Sequence, residues 1–529
     1  AKEITNEVKS EEADQGETKQ EEVKKDNTKQ KETKKVEEKK EIIVTDMKKT
    51  LYVKATSLNV RSGPSTSDSK IGAYKNAAVT GKVKDSTWYR VSYNGKVGYV
   101  DSTYLTETKP VVEEKSYEEV LAMRVEPHRQ PLRPPMLFRV LLRQLSAADL
   151  KKTHFKCREI NMERLGKREP CLILMNHSSF IDLKIAATVL FPRPFNIVCT
   201  SDGFVGKSGL MRMIGCIPTK KFVMDMVLVR DMMFSLKKLK SSVLMFPEAS
   251  YSFDGTATPL PDSLGKCLKM LGVPVAMIRT YGAFARDPLY NNLKLRQVDV
   301  SADVEYLLSP EEISQHTPAE LNEILKKCFS FDNFRWQQEN RISITEDFRA
   351  DCLNRVLYKC PHCRTEGQMQ GEGTGIFCKS CGKGYELTEY GYLKAKEGET
   401  LFSHIPDWYA WERECVRKEL EAGTYRLDIP VDIYMLVNTR SIYRVGEGRL
   451  LHTTEGFHLT GCGGKLDYTQ KPSASYSLYS DYFWYEMGDV ICIGDAAALY
   501  YCFPKGCGDI VAKTRLATEE LYKIKKAAQ

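Results

Sequence analysis

The spacing of hydrophobic and polar positions changes several times along the chain, and each change marks a boundary between predicted segments. Residues 1–50 hold almost no apolar positions, because 13 Lys and 14 Asp or Glu make up 27 of the 50 side chains. Such a tract cannot bury enough surface to offset its chain entropy. We therefore expect a charged, disordered linker, with a single solvated helix as the alternative.

Residues 51–107 carry short runs in which apolar and polar side chains alternate, a spacing that is typical of strands. Glycine, asparagine and serine separate the runs, and Asn94-Gly95 has the composition of a type I′ hairpin turn. The pattern predicts a small all-β domain whose strands include Ser57–Val60, Thr87–Val91 and Lys96–Val100.

Residues 108–150 begin as a linker and change to helical spacing after two prolines, which can start a helix. Arg139 and Arg143 interrupt the apolar positions of this helix, which are Leu137, Phe138, Val140, Leu141, Leu142 and Leu145. A basic amphipathic helix either packs on a neighbouring core or lies in a membrane interface. Packing is the favoured interpretation.

Residues 151–345 alternate buried-strand runs with helical stretches, which predicts an α/β domain with a largely parallel sheet. The runs are Cys171–Met175, Phe195–Cys199, Ser242–Phe246 and Val273–Ile278. Residues 425–529 are rich in strand-like runs and end in a helical stretch, which predicts a separate β-rich domain. These runs are Val431–Val437, Ser441–Val445, Arg449–Thr453, Gly456–Thr460, Ser475–Tyr479 and Val490–Ile493, and the helix is Asp509–Lys526.

The length of 529 residues exceeds what one hydrophobic core supports, so the protein is expected to be multidomain. A net charge of +8 is about one excess cation per 66 residues, which is too dispersed to indicate a nucleic-acid partner. It suits an anionic membrane surface or a phosphorylated substrate. Because the sequence has no run of 18 or more apolar residues, we expect membrane contact to be peripheral.

The 16 cysteines begin at Cys157, and a cysteine-rich chain with irregular spacings is typical of a reducing compartment. Cys360, Cys363, Cys378 and Cys381 form two CxxC pairs separated by 14 residues. Four thiolates at this spacing predict a zinc ribbon over 355–390 in which the zinc is structural, because no coordination position stays open. His362 is expected to be a bystander.

A His and an Asp follow the first strand run of the α/β domain. His177 and Asp182 are five residues apart, so on a regular helix they would lie on different faces. The pair is productive if His177 lies in the loop and Asp182 in the first helical turn, with Ser179 as the N-cap. Asp182 would then orient the imidazole as a general base for a hydroxyl.

Three further motifs accompany this His box in a fixed order. Gly215–Lys221 contains Ile217-Pro218, Phe246–Ser250 contains Pro247-Glu248, and Val273-Pro274-Val275 comes last. With all four motifs, the segment resembles the glycerol-phosphate and lysophosphatidate (1-acylglycerol-3-phosphate) acyltransferase family.

The resemblance implies roles for individual residues. His177 would be the catalytic base and Asp182 its orienting partner. Lys221, with Lys220 beside it, stands where the family has a phosphate-binding Arg, and Glu248 and Ser250 would help bind the acceptor. The family's Gly-Thr-Arg after Pro-Glu is here Ala249-Ser250-Tyr251, so one expected cation is missing.

Two other segments resemble known families. Leu58–Ser65 (LNVRSGPS) and Gly95–Leu105 (GKVGYVDSTYL) resemble a bacterial SH3-like domain, which implies a peptidoglycan or peptide ligand; a spacer without a ligand is the alternative. The hairpin pattern of Arg449–Thr460, with many strands and a terminal helix, resembles a pleckstrin-homology-like fold. The expected fold is thus an α/β acyltransferase core between an SH3-like barrel and a zinc ribbon, with a β-rich domain at the end.

The expected function is transfer of a fatty acyl group from a thioester, acyl-CoA or acyl-carrier protein, to the hydroxyl of a lysophosphatidate-like acceptor in phospholipid synthesis. The alternative is a catalytically inactive binding protein built from the same modules. Thioester chemistry and a thiol-rich chain predict a cytoplasmic location at the membrane face, whereas an SH3-like domain predicts the cell wall. A fusion that joins residues 1–115 to an enzyme starting near Ser116 would reconcile the two.

Overall fold

The structure is a computed structural model that describes residues 49–53, 58–74, 78–81, 88–94, 96–106, 112–124, 126–223, 226–485 and 487–528. Apart from its last two residues, the charged tract predicted for residues 1–50 lies outside these ranges. The chain divides into two compact units, and the boundary between them falls between residues 109 and 110 of the sequence.

The first unit is an antiparallel β domain. Its strands pair in the order β3-β2-β6-β5-β4-β1-β7. Tyr93 pairs with Lys96, so the predicted Asn94-Gly95 hairpin joins two adjacent strands. The core is formed by Leu58, Val60, Tyr89, Val91, Val100 and Leu105. The strands are β1 (Lys49–Val53), β2 (Leu58–Arg61), β3 (Lys70–Tyr74), β4 (Ala78–Gly81), β5 (Trp88–Tyr93), β6 (Lys96–Asp101) and β7 (Leu105–Thr106).

The second unit contains a mostly parallel sheet that positions the candidate site. The strand order is β12-β11-β13-β10-β14-β15-β9, and β14 and β15 are its antiparallel neighbours. The predicted runs became β10, β11, β13 and β14. The strands are β9 (Lys156–Ile160), β10 (Leu172–Met175), β11 (Phe195–Thr200), β12 (Cys216–Thr219), β13 (Ser242–Met245), β14 (Val275–Tyr281) and β15 (Ser301–Leu308).

Helices cover both faces of this sheet, which explains why its central strands are apolar without alternation. In β10, Ile173 and Met175 face one apolar cluster, while Leu172 and Leu174 face the other. The helices are α2 (Met136–Lys152), α3 (Asp182–Val189), α4 (Ser208–Met213), α5 (Met226–Lys237), α6 (Leu264–Leu271), α7 (Ala283–Arg286), α8 (Pro310–Gln315), α9 (Pro318–Phe329) and α10 (Asn333–Glu339); a short α1 (Tyr117–Leu121) precedes them.

The predicted amphipathic helix is α2. It packs along α3, and its Leu150 belongs to the core of the α/β sheet. One face of the helix is therefore packed on a neighbouring core, as expected. On the other face Leu137, Leu141 and Leu145 are 73%, 44% and 67% exposed. Within the described ranges, the structure contains no helix with both the length and the apolar character needed to cross a membrane.

The cysteine pairs lie beside a small antiparallel sheet: Cys360 and Cys363 precede its first strand, Cys378 ends the second, and Cys381 lies in the turn after it. The strands are β16 (Met369–Glu372), β17 (Gly375–Cys378), β18 (Gly384–Leu387) and β19 (Leu393–Ala395). A long helix, α11 (Ile405–Glu421), follows it and was not predicted. The ring of Trp408 on this helix is buried, and its indole N–H donates to the carbonyl of Lys359. The helix therefore joins the cysteine-bearing sheet to the rest of the unit.

The chain ends in an antiparallel sheet that is followed by α12 (Val511–Ala527). The strand order is β23-β22-β21-β20-β26-β25-β24, and β8 (Val112–Glu114) pairs in parallel with β21. The sequence pattern missed β23 and β26 and split β21 into two runs. It also placed a strand at Ser475–Tyr479, whereas β24 begins only at Tyr479. Its pleckstrin-homology-like assignment stays a prediction. The strands are β20 (Leu427–Leu436), β21 (Ile442–Thr453), β22 (Gly456–Gly461), β23 (Leu466–Gln470), β24 (Tyr479–Trp484), β25 (Gly488–Gly494) and β26 (Leu499–Pro504).

Candidate active site

The predicted His and Asp meet in the loop that follows β10. The Nδ1 atom of His177 lies 3.1 Å from the Oδ2 atom of Asp182, which is the first residue of α3. The same oxygen accepts hydrogen bonds from the backbone N–H groups of Ser178 and Ser179, at 2.8 and 3.0 Å. Ser179 is not the N-cap as expected, because α3 begins two residues later, with Ile181 in that position. The loop is instead held by the Asp182 carboxylate.

The electrostatic setting of His177 favours a neutral imidazole. Burial lowers its pKa, while the hydrogen bond and charge of Asp182 raise it and the ammonium of Lys221 lowers it again. The net effect of these contributions is a lowered pKa for His177. Asp182 is 1% exposed and already receives two backbone N–H groups, so it orients Nδ1 as a donor. The Nε2 atom then carries the lone pair that a general base needs.

Two aromatic rings enclose the imidazole. The ring centroids of Phe246 and Tyr251 lie 4.2 and 3.9 Å from that of His177, each at an interplanar angle of 29°. Tyr251 in turn lies 5.5 Å from Phe180, whose ring is 57% exposed. Stacking on both sides fixes the plane of the imidazole and limits the approach of a substrate to its edge.

Glu248 ties the His177 loop to the loop after β13. One of its oxygens accepts from the backbone N–H of His177 at 2.9 Å, and the other accepts from the N–H of Thr258 at 2.8 Å. The side chain is 4% exposed, and burial raises its pKa to about 7 against the effect of these bonds. This geometry indicates that Glu248 positions the loop; its predicted contact with an acceptor stays a prediction.

Ser250 and the two predicted lysines have separate environments. Ser250 is 2% exposed, and its hydroxyl has no hydrogen-bond partner within the described part of the chain. The ammonium of Lys221 lies 4.1 Å from the ring centroid of Tyr479, and that of Lys220 donates to the carbonyl of Ala496. The lysines thus reach the C-terminal sheet, a contact that the sequence pattern did not predict.

Comparison with known proteins identifies the domain that carries this site. The sequence model of the family described as Acyltransferase matches residues 156–279, which include His177, Asp182, Lys221 and Glu248. The chain contains an acyltransferase domain. The model of the bacterial SH3 domain matches residues 56–106, so the first unit contains a bacterial SH3 domain.

A search of solved structures found the 1-acyl-sn-glycerophosphate acyltransferase of Thermotoga maritima, which is 13% identical. The match covers 36% of this chain and 76% of that protein, with a TM-score of 0.31. No curated protein matches the chain.

The third motif of the acyltransferase domain has an unusual backbone. Ala249 adopts the left-handed conformation, with φ of 55°, at the position where the resembled family has glycine. A Cβ atom in this region is disfavoured by roughly 1–2 kcal/mol. The turn after Glu248 therefore holds strain, and it brings Tyr251 over His177.

The C-terminal strand β24 borders the acyltransferase site. The hydroxyl of Tyr479 donates to the carboxylate of Asp202 at 2.9 Å and accepts from the indole N–H of Trp484 at 3.0 Å. The ring of Tyr482 lies 4.5 Å from that of Phe253. These residues were not predicted, because the β-rich segment was expected to be a separate domain and no motif marks an edge strand that packs on another sheet.

The four predicted cysteines of the ribbon converge. All of their sulfur atoms lie within 4.8 Å of one another, and the Cys360–Cys381 and Cys363–Cys378 distances are both 3.7 Å. A tetrahedron of sulfurs around zinc, with Zn–S bonds of about 2.3 Å, has edges of about 3.8 Å. The donor set and its spacing therefore fit a tetrahedral zinc ion. His362 is exposed and does not belong to the cluster.

Proposed function

We propose that the acyltransferase domain transfers a fatty acyl group from a thioester to the hydroxyl of a lysophosphatidate-like glycerolipid acceptor. The observation that carries this proposal is the His177–Asp182 pair, with Nδ1 held by a buried carboxylate at 3.1 Å. Acyl-CoA or acyl-carrier protein is the proposed donor. The reaction belongs to phospholipid synthesis, at the cytoplasmic face of a membrane.

In the proposed mechanism, Nε2 of His177 removes the proton from the acceptor hydroxyl as its oxygen attacks the thioester carbonyl. The tetrahedral intermediate collapses to an ester and expels the thiolate, which takes the proton from the imidazolium. Asp182 stabilises the imidazolium and keeps the ring oriented. Glu248 holds the His177 loop in place, and Lys221 pairs with the acceptor phosphate.

Substituting His177 tests this proposal. His177→Ala should reduce kcat by roughly 10²–10⁴-fold, because general-base assistance is worth that much. The assay follows a radiolabelled acyl group from acyl-CoA or acyl-carrier protein into lysolipid acceptors. His316→Ala is the matched control, since His316 lies at the end of α8 and hydrogen-bonds to the carbonyl of Glu312. A His177→Ala protein with more than about a tenth of the wild-type rate would contradict the proposal.

We also propose that Cys360, Cys363, Cys378 and Cys381 hold one structural zinc ion. The ion would cross-link two turns of a small sheet, a common way to stabilise a segment with little core of its own. The SH3 domain is proposed to bind a peptidoglycan fragment or a peptide.

A further inference from the structure

The charges around the acyltransferase site limit which phosphate an acceptor can carry. A phosphate monoester has a charge of about −1.5 to −2 at neutral pH, whereas a diester has one negative charge. A desolvated anion is costly unless cations pair with it. The number of available cations therefore separates the two kinds of acceptor.

Lys221 supplies one such cation. Its charge acts on the His177 imidazole, and its ammonium lies over the Tyr479 ring. The neighbouring Lys220 is directed to the carbonyl of Ala496, and Tyr251 stands where the resembled family has Arg. Arg515 also donates to the carbonyl of Tyr251, but its guanidinium is paired with the Glu519 carboxylate at 3.2 Å. The ammonium of Lys221 matches the single charge of a diester better than the charge of a monoester.

A carboxylate from the C-terminal sheet lies on the same side of the site. Asp481 is two residues after Tyr479 on β24, so both side chains point to the same face of the strand. That is the face on which Tyr479 contacts Asp202 and Lys221. Asp481 is partly exposed, and one of its oxygens accepts from the backbone N–H of Tyr482 at 3.0 Å. The carboxylate is therefore fixed to the strand.

Electrostatic effects agree with this placement. Burial raises the pKa of Asp481 to about 7, and the charge of Lys221 opposes that rise. The charge of Asp481 also contributes to the raised pKa of Tyr251, the ring that stacks on His177. A carboxylate whose charge interacts with both Lys221 and Tyr251 repels a dianion and attracts a hydrogen-bond donor.

We propose that Asp481 determines acceptor specificity, and that the acceptor is a lysophospholipid whose phosphate is a diester with an ammonium or hydroxyl in its head group. Lys221 binds the phosphate of this acceptor, and Asp481 accepts a hydrogen bond from the head group. The inference rests on the proposed acyl transfer. It assigns part of the substrate site to the C-terminal domain.

The test compares three acceptors with the same acyl chain: lysophosphatidate, lysophosphatidylethanolamine and lysophosphatidylglycerol. The full chain is assayed with radiolabelled palmitoyl-CoA and with palmitoyl-carrier protein. The wild type should have a higher kcat/KM for at least one diester than for lysophosphatidate. Asp481→Asn should reduce this preference by about 10-fold to 100-fold, the usual effect of losing a hydrogen bond to a charged group.

Asp481→Lys adds a second cation and should therefore raise kcat/KM for lysophosphatidate. A misfolded variant would not show such an increase. Asp467→Asn is the control, since Asp467 lies on β23, at the opposite edge of the sheet, and is 75% exposed. A wild type that prefers lysophosphatidate, or a preference that neither Asp481 variant changes, would overturn the inference. The absence of His177-dependent transfer to every acceptor would instead refute the proposed function.

Discussion

Glu248 offers a test of how the catalytic loop is held. Each of its oxygens accepts one backbone N–H, from His177 and from Thr258. In Glu248→Gln the amide has the same size, but its NH₂ group must face one of these N–H donors. One buried N–H then loses its partner, which costs about 1–3 kcal/mol.

The pH dependence of this effect follows from the pKa of Glu248. Burial raises that pKa from the ordinary 4.5 to about 7 in the folded protein. Between these values the folded state binds a proton that the unfolded state has lost, so the free energy of unfolding falls as pH rises and levels off above about 7. The difference corresponds to at most about 3.4 kcal/mol, at 1.36 kcal/mol per pH unit.

Glutamine does not titrate, so the free energy of unfolding of the variant does not fall in this way as pH rises. We expect Glu248→Gln to be less stable than the wild type at about pH 5, by the 1–3 kcal/mol of the lost hydrogen bond. The gap should close between pH 5 and 8 as the wild type loses stability. Urea unfolding at four pH values measures the gap, and hydrogen exchange of a peptide spanning residues 172–180 reports on the His177 N–H directly.

The control is Glu323→Gln, because Glu323 is 67% exposed on α9. It should change neither stability nor exchange at any pH. If the gap between the wild type and Glu248→Gln is the same at pH 5 and pH 8, Glu248 does not titrate in this window. Its two backbone hydrogen bonds would then hold the carboxylate ionised throughout.

Three further predictions concern other parts of the second unit. Ala249→Val should lower the free energy of unfolding, because a β-branched residue fits a φ of 55° even less well than alanine, whereas Ala249→Gly should relieve part of the about 1–2 kcal/mol that the Cβ costs; thermal melting compares the two. Metal analysis should find about one zinc per chain, and Cys363→Ser should release it and speed hydrogen exchange over residues 355–390 without changing kcat. Lys221→Ala should raise the KM for a phosphate-bearing acceptor and leave the KM for the donor nearly unchanged, while Lys221→Arg should retain acceptor binding, as steady-state kinetics with each substrate varied would measure.

Local patterns were sufficient to predict four strands of the central sheet and the motifs beside them, whereas β9, β12 and β15 were not predicted. A buried parallel strand needs a continuous apolar run, and Leu172–Met175 is such a run with a loop directly after it. The loop that follows a strand at the centre of a parallel sheet lies at the edge where ligands bind, so His177 and Asp182 were placed near each other from sequence alone. The cysteine cluster was predictable for the same reason, because its spacing is a local property.

Contacts between distant segments were not predictable from such patterns. Asp202 and Tyr479 are 277 residues apart, and nothing in either local sequence indicates their hydrogen bond. Strand β23 was missed because its alternation of apolar and polar residues is short. Strand β26 was missed because it is a short continuous apolar run, which periodicity alone does not distinguish from a buried helical segment. The turn at Ala249 was missed because alanine does not mark a left-handed backbone as glycine does.

Tyr251 is relevant both to the proposed base and to the proposed choice of acceptor. An Arg at this position would place a second cation near His177, beside Lys221, and would lower the pKa of the imidazole by its charge. Tyr251 instead stacks on the ring at 3.9 Å, and burial lowers the pKa of His177 without that charge. The imidazole is kept neutral in both cases, but the positive charge that would pair with a phosphate monoester is lost. Under the proposed mechanism, a tyrosine at this position is compatible with His177 as the base, and it favours the diester acceptor that we propose from the position of Asp481.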